Sequence, residues 1–310
     1  MNREQIMGGL LGVVVGDALG LPVQFQSRAD RKRRPVVVME GWGAFNMPPG
    51  SWSDDSSLTL CLVESICEAG LDPEDAGRRF VRWYGQGYWT PQGFAYDIGG
   101  STANAMQNLM RGVPAAQAGP AGEADNGNGS LMRILPAAIY LAEKPLAEMQ
   151  AGIWIMSGIT HGHPRARTAC CIYALLVREL LSGSTPAAAY KALCYNPAWL
   201  DWSQLELDHF ARFLAGDMHH LPEAEIASSG YVVDTLEAAL WCLLNNRNYV
   251  DTVRTAVNLG QDTDTVAAVA GGLAGITYGL QGIPPEWIRV LARQEEILAL
   301  AQRFADRVML

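Results

Sequence analysis

Residues 8–20 read GGLLGVVVGDALG, and residues 271–279 read GGLAGITYG. In both stretches glycine recurs every four residues within an apolar run, although glycine costs about 1 kcal/mol per interior helical position relative to alanine. A spacing of four places each glycine series on one helix face, where two backbones can approach closely. Ordinary tight packing is a sufficient account of both series. We therefore predict that both segments form central helices.

These two predicted helices also carry acidic residues. The first glycine series ends beside Asp17, and the second helix begins at the acidic segment 262–264. We expect both helices to deliver carboxylates to one shared site.

Helical periodicity dominates the rest of the chain, and PVVVM at 35–39 is the only run of β-branched residues. Proline and glycine separate the helical segments, and no internal repeat or domain boundary is visible. The predicted helices are 3–19, 57–69, 73–84, 101–111, 131–141, 146–160, 165–182, 186–194, 231–245, 248–259, 263–280 and 284–308. The sequence thus predicts a single all-α domain spanning residues 1–310.

Composition excludes several functional classes. The chain has 49% hydrophobic residues, 18% charged residues and a net charge of −9, which is typical of a globular protein and unlike a nucleic-acid-binding surface. The one basic run, at residues 28–34, is interpreted as a solvated loop. The longest apolar stretch, 266–280, is shorter than the roughly 20 residues of a membrane span. Six cysteines without a CxxC pair indicate reduced thiols in a cytoplasmic protein.

The first candidate functional segment is GSWSDDSS at residues 50–57, which precedes an amphipathic helix. Serine and aspartate are favoured helix N-caps, so capping alone would explain one of these residues. Two adjacent carboxylates, Asp54 and Asp55, repel each other unless they share a proton or a cation. The segment therefore favours metal binding, with helix capping as the alternative.

The second candidate segment is QDTDT at residues 261–265, again at a predicted helix start. It offers the carboxylates of Asp262 and Asp264 and the hydroxyl of Thr265. Oxygen ligands of this kind suit Mg²⁺, Mn²⁺ or Ca²⁺ rather than zinc. Together, the two segments predict a pair of cations about 3.5–4 Å apart that orients a substrate diol and activates a water.

Six blocks of the sequence carry a resemblance to one family. They are GGLLGVVVGDALGLPVQF at 8–25, GSWSDDSSLTLCLVESI at 50–66, GYWTPQGFAYDIGGST at 87–102, NGNGSLMRILP at 126–136, SGITHGHPRA at 157–166 and NLGQDTDTVAAVAGGLAG at 258–275. In content and order they resemble the ADP-ribosylglycohydrolase family, which includes the dinitrogenase reductase–activating glycohydrolase and the ADP-ribosylarginine and ADP-ribosylserine hydrolases. The resemblance implies a compact orthogonal multi-helix bundle.

The resemblance also implies a binuclear site and a ligand. It implies two Mg²⁺ or Mn²⁺ ions, with ADP-ribose and an ADP-ribosylated protein as the binding partners. The implied metal ligands are Ser53, Asp54, Asp55, Asp262, Asp264 and Thr265. The family usually has threonine where this chain has Ser53, and both residues supply a ligand oxygen.

A further set of residues is implied to bind the substrate. These residues are Gly127, Asn128, Gly129, Ser130, Met132, Arg133 and His161. The loop from Gly127 to Ser130 opens a predicted helix, whose backbone N–H groups could hold the diphosphate. A structural ion pair is the alternative for Arg133, and His163 competes with His161 for the role of ligand contact.

Asp55, Asp97 and Gln24 are the implied catalytic residues. Asp55 would take a proton from the attacking water. Asp97 matches a position that arginine-specific members place beside the scissile bond, with capping of the following helix as the alternative. Gln24 stands where the family usually has a glutamate implicated in catalysis, and glutamine cannot serve as a base.

The implied activity is removal of ADP-ribose from modified protein side chains, arginine linkages being favoured, by cleavage at C1″. Two alternatives remain open: an ADP-ribose-binding protein without catalysis, and a Mg²⁺-dependent hydrolase of another small ADP-ribosyl compound. We expect a monomer that binds neither nucleic acid nor membranes.

Overall fold

A computed structural model of the chain describes residues 1–196 and 206–310. Fifteen α-helices and no β-strand occur in these two ranges, which confirms the predicted all-α fold. The helices are α1 (Arg3–Gly20), α2 (Arg28–Arg33), α3 (Asp54–Ala69), α4 (Pro73–Gln86), α5 (Gly100–Met110), α6 (Leu135–Leu141), α7 (Leu146–Gly158), α8 (Pro164–Leu181), α9 (Pro186–Tyr195), α10 (Ala211–Leu214), α11 (Val232–Asn245), α12 (Tyr249–Asn258), α13 (Thr263–Tyr278), α14 (Pro285–Val290) and α15 (Gln294–Val308).

Helices α1 and α13 are the two predicted central helices, and the structure shows that they run antiparallel with their backbones in contact. A Cβ atom added at Gly12 would lie 2.2 Å from the carbonyl oxygen of Gly271, and one added at Gly8 would lie 2.3 Å from that of Gly275. The same register places Gly16 against Ala267 and Gly20 against Thr263. Both glycine series are therefore needed for this close approach.

Helix α1 is buried on all sides rather than on one face. Every residue from Gly8 to Gly20 is buried, because α3, α6, α12, α13 and α15 surround the helix. The segment Arg3–Val23 is the one described segment long and apolar enough to cross a membrane, and its apolar window lies wholly inside the protein. A core helix of a globular fold explains this composition.

The basic run at residues 28–34 is not a solvated loop, contrary to expectation. Residues Arg28–Arg33 form α2, whose N-cap Ser27 makes a capping box with Asp30. Arg31 is buried, and the Arg28 guanidinium donates to the Leu259 carbonyl at 2.9 Å. The basic side chains therefore attach α2 to the segment that precedes α13.

The predicted helix 284–308 is in fact two helices, α14 and α15. Arg293 adopts a left-handed conformation, with φ of 51°, between them. The Ala292 N–H donates to the Gly50 carbonyl at 3.0 Å, outside any helix. This break brings the chain against Gly50, the residue at which the first acidic segment begins.

Candidate metal centre and substrate cleft

The first acidic segment forms the start of α3. Ser53 is the N-cap, and its hydroxyl accepts a hydrogen bond from the Asp55 N–H at 3.2 Å. The same hydroxyl donates to Asp55 Oδ2 at 2.8 Å. Helix capping therefore explains Ser53, but it does not explain the carboxylates of Asp54 and Asp55.

The second acidic segment forms the start of α13 and meets the first. Thr265 Oγ1 donates to Asp55 Oδ2 at 3.3 Å, although the two residues are 210 positions apart in the chain. Asp264 is fully buried, and neither of its carboxylate oxygens has a hydrogen-bond partner among the described residues. The fold thus brings the two segments together, as the sequence led us to expect.

A third carboxylate, that of Asp17 on α1, completes this centre. One oxygen from each of Asp17, Asp55 and Asp264 can be chosen so that all three lie within 4.8 Å of one another. Asp17 accepts from the Ser53 N–H at 2.9 Å and, through Oδ2, from the Ser56 N–H at 3.0 Å and the Ser56 hydroxyl at 2.5 Å. Asp17 therefore fastens the first turn of α3 to α1.

The electrostatics of this cluster of aspartates favour a bound cation. Burial raises the pKa of Asp54, Asp55 and Asp264 well above its usual range, and neighbouring carboxylates raise it further. In the described ranges, no lysine, arginine or histidine forms an ion pair with these aspartates. Buried carboxylates without a counter-charge need protons or metal ions, and their oxygen ligands suit hard divalent cations.

A cleft of about 560 Å³ opens beside the acidic cluster. Among the predicted site residues it is lined by Gln24, Asp54, Asp97, Gly127, Asn128, Gly129, Met132, His161, Asp262 and Thr265. Ser53, Asp55 and Asp264 are buried and do not line it. The cleft has the size of a small-molecule site, and the carboxylates lie at its side.

Asp97 and Gln24 share one part of this cleft. Asp97 has a φ of 56°, and α5 is capped by Gly99 without a side-chain hydrogen bond, so Asp97 is not a helix cap. Burial raises the pKa of Asp97, and contacts with Asp264 and then with Gln24 oppose that shift. Gln24 Oε1 is buried and finds no donor in the described part of the chain.

The loop from Gly127 to Gly129 lines the cleft. Contrary to the prediction, it does not lead into an α-helix. It leads into a single 3₁₀ turn, Leu131–Arg133, which offers fewer aligned N–H groups than an α-helix. The Asn128 N–H already donates to the Gly230 carbonyl at 3.0 Å, and Asn128 Nδ2 donates to Asp262 Oδ2 at 2.7 Å. Asn128 thus links the loop to the second acidic segment.

Ser130 and Arg133 lie behind the cleft, contrary to their predicted role as substrate contacts. Ser130 is fully buried, and its hydroxyl accepts from Ser157 at 2.9 Å. Arg133 is also fully buried and does not line the cleft. The alternative of a structural ion pair is wrong as well, because no carboxylate pairs with Arg133 among the described residues.

The positions of His161 and His163 decide which of the two histidines can contact a ligand. His161 lines the cleft, whereas the ring of His163 caps α8 by accepting from the Arg165 N–H at 3.2 Å. His163 Nε2 lies 3.3 Å from Glu123 Oε2. The structure therefore leaves His161 as the histidine that can contact a ligand.

Comparison with known proteins identifies the family. The sequence pattern of the ADP-ribosylglycohydrolase family matches residues 1–309. The chain belongs to the ADP-ribosylglycohydrolase family. A solved structure named as an ADP-ribosylglycohydrolase-related protein complex superposes with a TM-score of 0.83 and 35% sequence identity, covering 99% of both chains.

Two curated relatives illustrate the similarity within the ADP-ribosylglycohydrolase family. One is ADP-ribosylarginine hydrolase Tri1 from Pseudomonas putida (strain GB-1), which is 36% identical over 98% of this chain and 78% of its own length. The other is ADP-ribosyl-[dinitrogen reductase] glycohydrolase from Rhodospirillum rubrum, which is 30% identical over 95% of this chain and 92% of its own length.

The sequence placed Asp17 on a helix that delivers a carboxylate to the shared site, and its position in the acidic cluster confirms that expectation. One feature of this ADP-ribosylglycohydrolase site was missed from the sequence, namely backbone strain at the cleft: Phe25 and Gln261 both have positive φ, of 69° and 64°. The Phe25 N–H donates to the Gln261 carbonyl at 2.7 Å and fixes this geometry, which a residue-by-residue reading cannot anticipate.

Proposed function

We propose that this protein is a hydrolase that removes ADP-ribose from arginine side chains of modified proteins, with two divalent cations, Mg²⁺ or Mn²⁺, as cofactors. The observation that carries the proposal is the buried cluster of Asp17, Asp55 and Asp264, which lies beside a cleft of nucleotide size and has no cationic partner in the described chain. Membership of the ADP-ribosylglycohydrolase family supports the reaction class. Two similar proteins named ADP-ribosylarginine hydrolase support the linkage.

Six residues would hold the two cations: Ser53, Asp54, Asp55, Asp262, Asp264 and Thr265. The fit is good because Asp55 Oδ1 and both oxygens of Asp264 are buried and unpartnered within the described ranges. When bound, such ions supply Lewis-acid polarisation of substrate oxygens. Asp17 would support the site from behind, since its oxygens already accept hydrogen bonds from the turn that bears the ligands.

Asp55 would accept the proton of the attacking water. Its Oδ2 is occupied by Ser53 and Thr265, so Oδ1 is the oxygen available for this step. Cleavage at C1″ should pass through an oxocarbenium-like state, which the surrounding carboxylates would stabilise.

Asp97 would bind the guanidinium leaving group. A carboxylate can accept two parallel hydrogen bonds from a guanidinium, and Asp97 lies on the cleft wall beside Gln24. Gln24 would keep the shape and hydrogen bonding of the usual glutamate without acting as a base. Asp55 would then be the residue that accepts the proton during catalysis.

The glycine loop and the residues beside it would accommodate the ADP portion. Gly127, Gly129, Met132 and His161 line the cleft there. Asn128 Nδ2 donates to Asp262 Oδ2, which ties this loop to the acidic segment of α13. We further propose that the protein is a cytoplasmic monomer.

The proposal is tested by release of ADP-ribose from arginine-modified protein in the presence of Mg²⁺ or Mn²⁺. We expect Asp55→Asn and Asp264→Asn to lower the rate at least 100-fold, because each removes a charged ligand or the proton acceptor. Asp306→Asn is the matched control, since Asp306 lies on the surface of α15, far from the cluster in the fold, and contacts Arg3 and Gln302. Full activity in either site variant, or in the chelated wild-type protein, would overturn the proposal.

Gln24 favours one alternative, an ADP-ribose-binding protein that has lost catalysis. Calorimetry would then show tight binding of ADP-ribose, with no release from arginine-, serine- or O-acetyl-linked substrates. Turnover of only a small ADP-ribosyl compound would instead indicate a different hydrolase on the same scaffold.

A further inference from the structure

Arg133 is an unusual residue in this fold because its guanidinium is fully buried without a carboxylate partner in the described chain. Its Nη2 donates to the Met156 carbonyl at 3.2 Å and to Thr160 Oγ1 at 2.7 Å. The guanidinium also lies over the Phe80 ring, 4.8 Å from its centroid. A buried cation is costly, so the contact with Thr160 requires an explanation beyond packing.

Thr160 connects Arg133 to the cleft. Thr160 Oγ1 lies 3.0 Å from His161 Nδ1, so the threonine hydroxyl touches both side chains. Because Arg133 can only donate, Thr160 Oγ1 is the acceptor of that bond and keeps its own proton to donate. Among the hydrogen bonds of the described residues, His161 Nδ1 is the acceptor available to this buried hydroxyl.

This order of donors fixes the tautomer of His161. If Nδ1 accepts from Thr160, the single proton of a neutral imidazole is on Nε2. Burial, followed by the nearby charge of Arg133, lowers the pKa of His161 to about 3, which keeps the ring neutral. Arg133 itself stays charged at neutral pH, because burial lowers its pKa only to about 10.

The Nε2 side of the ring faces the glycine loop of the cleft. A Cβ atom added at Gly129 would lie 2.7 Å from His161 Cε1, and one added at Gly127 would lie 3.5 Å from Nε2. Glycine at position 129 thus lets the ring approach the loop, whereas a methyl group at position 127 would make only ordinary van der Waals contact with Nε2. His161 is 3% exposed, so a ligand that meets Nε2–H meets it in a largely water-free place.

We infer that Arg133 is a positioning residue, which acts through Thr160 to hold His161 as a neutral Nε2–H donor to an acceptor oxygen of the ligand, such as a phosphate oxygen of a nucleoside diphosphate. The ligand part of this inference rests on the proposed binding of ADP-ribose. A chain of hydrogen bonds that begins at a cation polarises each following donor, so Nε2–H becomes a stronger donor than an isolated imidazole. Arg133 therefore serves the cleft without entering it.

Nitrogen-15 NMR of the imidazole rings tests the tautomer directly, without ligand or turnover. The chain has only five histidines, and His161→Gln and His163→Gln assign the two relevant signals. We expect the Nε2–H tautomer in the wild-type protein and in Thr160→Ser, which keeps the hydroxyl. Thr160→Val removes the hydroxyl and should release the ring to a mixture of tautomers.

Calorimetry with ADP-ribose and Mg²⁺ tests the consequence for binding. We expect Thr160→Val to weaken binding roughly tenfold, which is the size of one hydrogen bond to a charged acceptor. Thr160→Ser and His163→Gln should bind as the wild type does. Arg133→Met should change the tautomer in the same way as Thr160→Val, and the threonine variants decide the matter if removal of a buried guanidinium unfolds the protein.

The NMR and calorimetric measurements test different parts of the inference. An Nδ1–H tautomer in the wild type, or an unchanged Nε2–H signal in Thr160→Val, overturns the positioning role. Unchanged ADP-ribose affinity in Thr160→Val overturns the donor role of His161. Absence of ADP-ribose binding in the wild type overturns the proposed function and the ligand part of this inference, while the tautomer measurement still judges the role of Arg133.

Discussion

Asp17 shows how one buried side chain can organise a site without lying in its cleft. It comes from α1, yet its carboxylate accepts from two N–H groups and one hydroxyl in the first turn of α3. Burial raises its pKa to about 6, and hydrogen bonds from Ser56 and Ser53 oppose that shift. Because Oδ2 is saturated by these donors, we interpret Asp17 as a residue that positions Ser53, Asp54 and Asp55.

The variant Asp17→Asn tests this interpretation. Asparagine has the same shape, but its NH₂ group would face an N–H of the α3 turn, so the turn should lose its orientation. We expect the affinity for Mn²⁺, measured by calorimetry, to fall roughly 10- to 100-fold, as is usual for residues that orient metal ligands. Complete loss of binding would instead make Asp17 a direct ligand, and unchanged binding would refute any role. Asp306→Asn serves as the control.

In our account, Asp97 determines which ADP-ribosyl linkage the enzyme cleaves. We expect Asp97→Asn to lower kcat/KM for arginine-linked ADP-ribose roughly 10- to 100-fold, because the charge-assisted hydrogen bonds to the guanidinium are weakened. The serine-linked substrate, which has no guanidinium, should be affected much less. Equal losses on both substrates would show that Asp97 does not select arginine.

At the scale of elements, the contact between α1 and α13 determines whether the acidic residues meet. We expect Gly12→Ala to lower the free energy of unfolding by about 3 kcal/mol, because the added methyl group would overlap the Gly271 carbonyl. Gly85→Ala is the matched control, since Gly85 lies on the exposed face of α4 with nothing within 4 Å. It should stabilise α4 by up to about 1 kcal/mol. Denaturant unfolding measures the free energy of unfolding of both variants. Equal changes in Gly12→Ala and Gly85→Ala would contradict the packing argument.

The sequence predicted those elements whose signals are local. The glycine spacing predicted that α1 and α13 are central helices, and the serines and aspartates predicted helix starts at the two acidic segments, although α3 begins at Asp54 rather than at residue 57. It did not predict the break between α14 and α15, because the left-handed Arg293 is accompanied by a hydrogen bond from Ala292 to the distant Gly50. Tertiary contacts of this kind leave no pattern in a short window of sequence.

The candidate site was predictable to a similar extent. The acidic residues lie together as expected, because their segments begin two neighbouring helices. The burial of Arg133 and Ser130 behind the cleft was not predictable, since a glycine-rich loop before a helix gives no indication of which side chains turn inward. Their positions follow from the 3₁₀ turn at Leu131–Arg133, which packs both residues against α7 and α8.

At the scale of the whole molecule, the acidic centre should link stability to pH and to metal. In the metal-free protein the folded-state pKa of Asp17 is raised to about 6, and those of Asp54, Asp55 and Asp264 are raised well above the usual range. A raised carboxyl pKa contributes stability that is present below the unfolded value of about 4 and is lost as pH rises through the folded value. The chelated protein should therefore have a lower Tm at about pH 8 than at about pH 5.5.

Divalent cations should reverse this trend, because they bind the deprotonated carboxylates. We expect the increase in Tm on adding Mg²⁺ or Mn²⁺ to be several degrees larger at about pH 8 than at about pH 5.5. Comparing the protein with and without metal at each pH cancels the other titrating groups. Equal increases at the two pH values would indicate that the raised carboxyl groups do not take part in metal binding.

The central claim is that two distant acidic segments close around a pair of cations. Anomalous diffraction from crystals grown with Mn²⁺ tests it most directly. Our account predicts two anomalous peaks between the starts of α3 and α13, ligated by Asp54, Asp55, Asp262 and Asp264. Crystals that hold Mn²⁺ elsewhere, or that show these carboxylates protonated and paired with one another without metal, would contradict it.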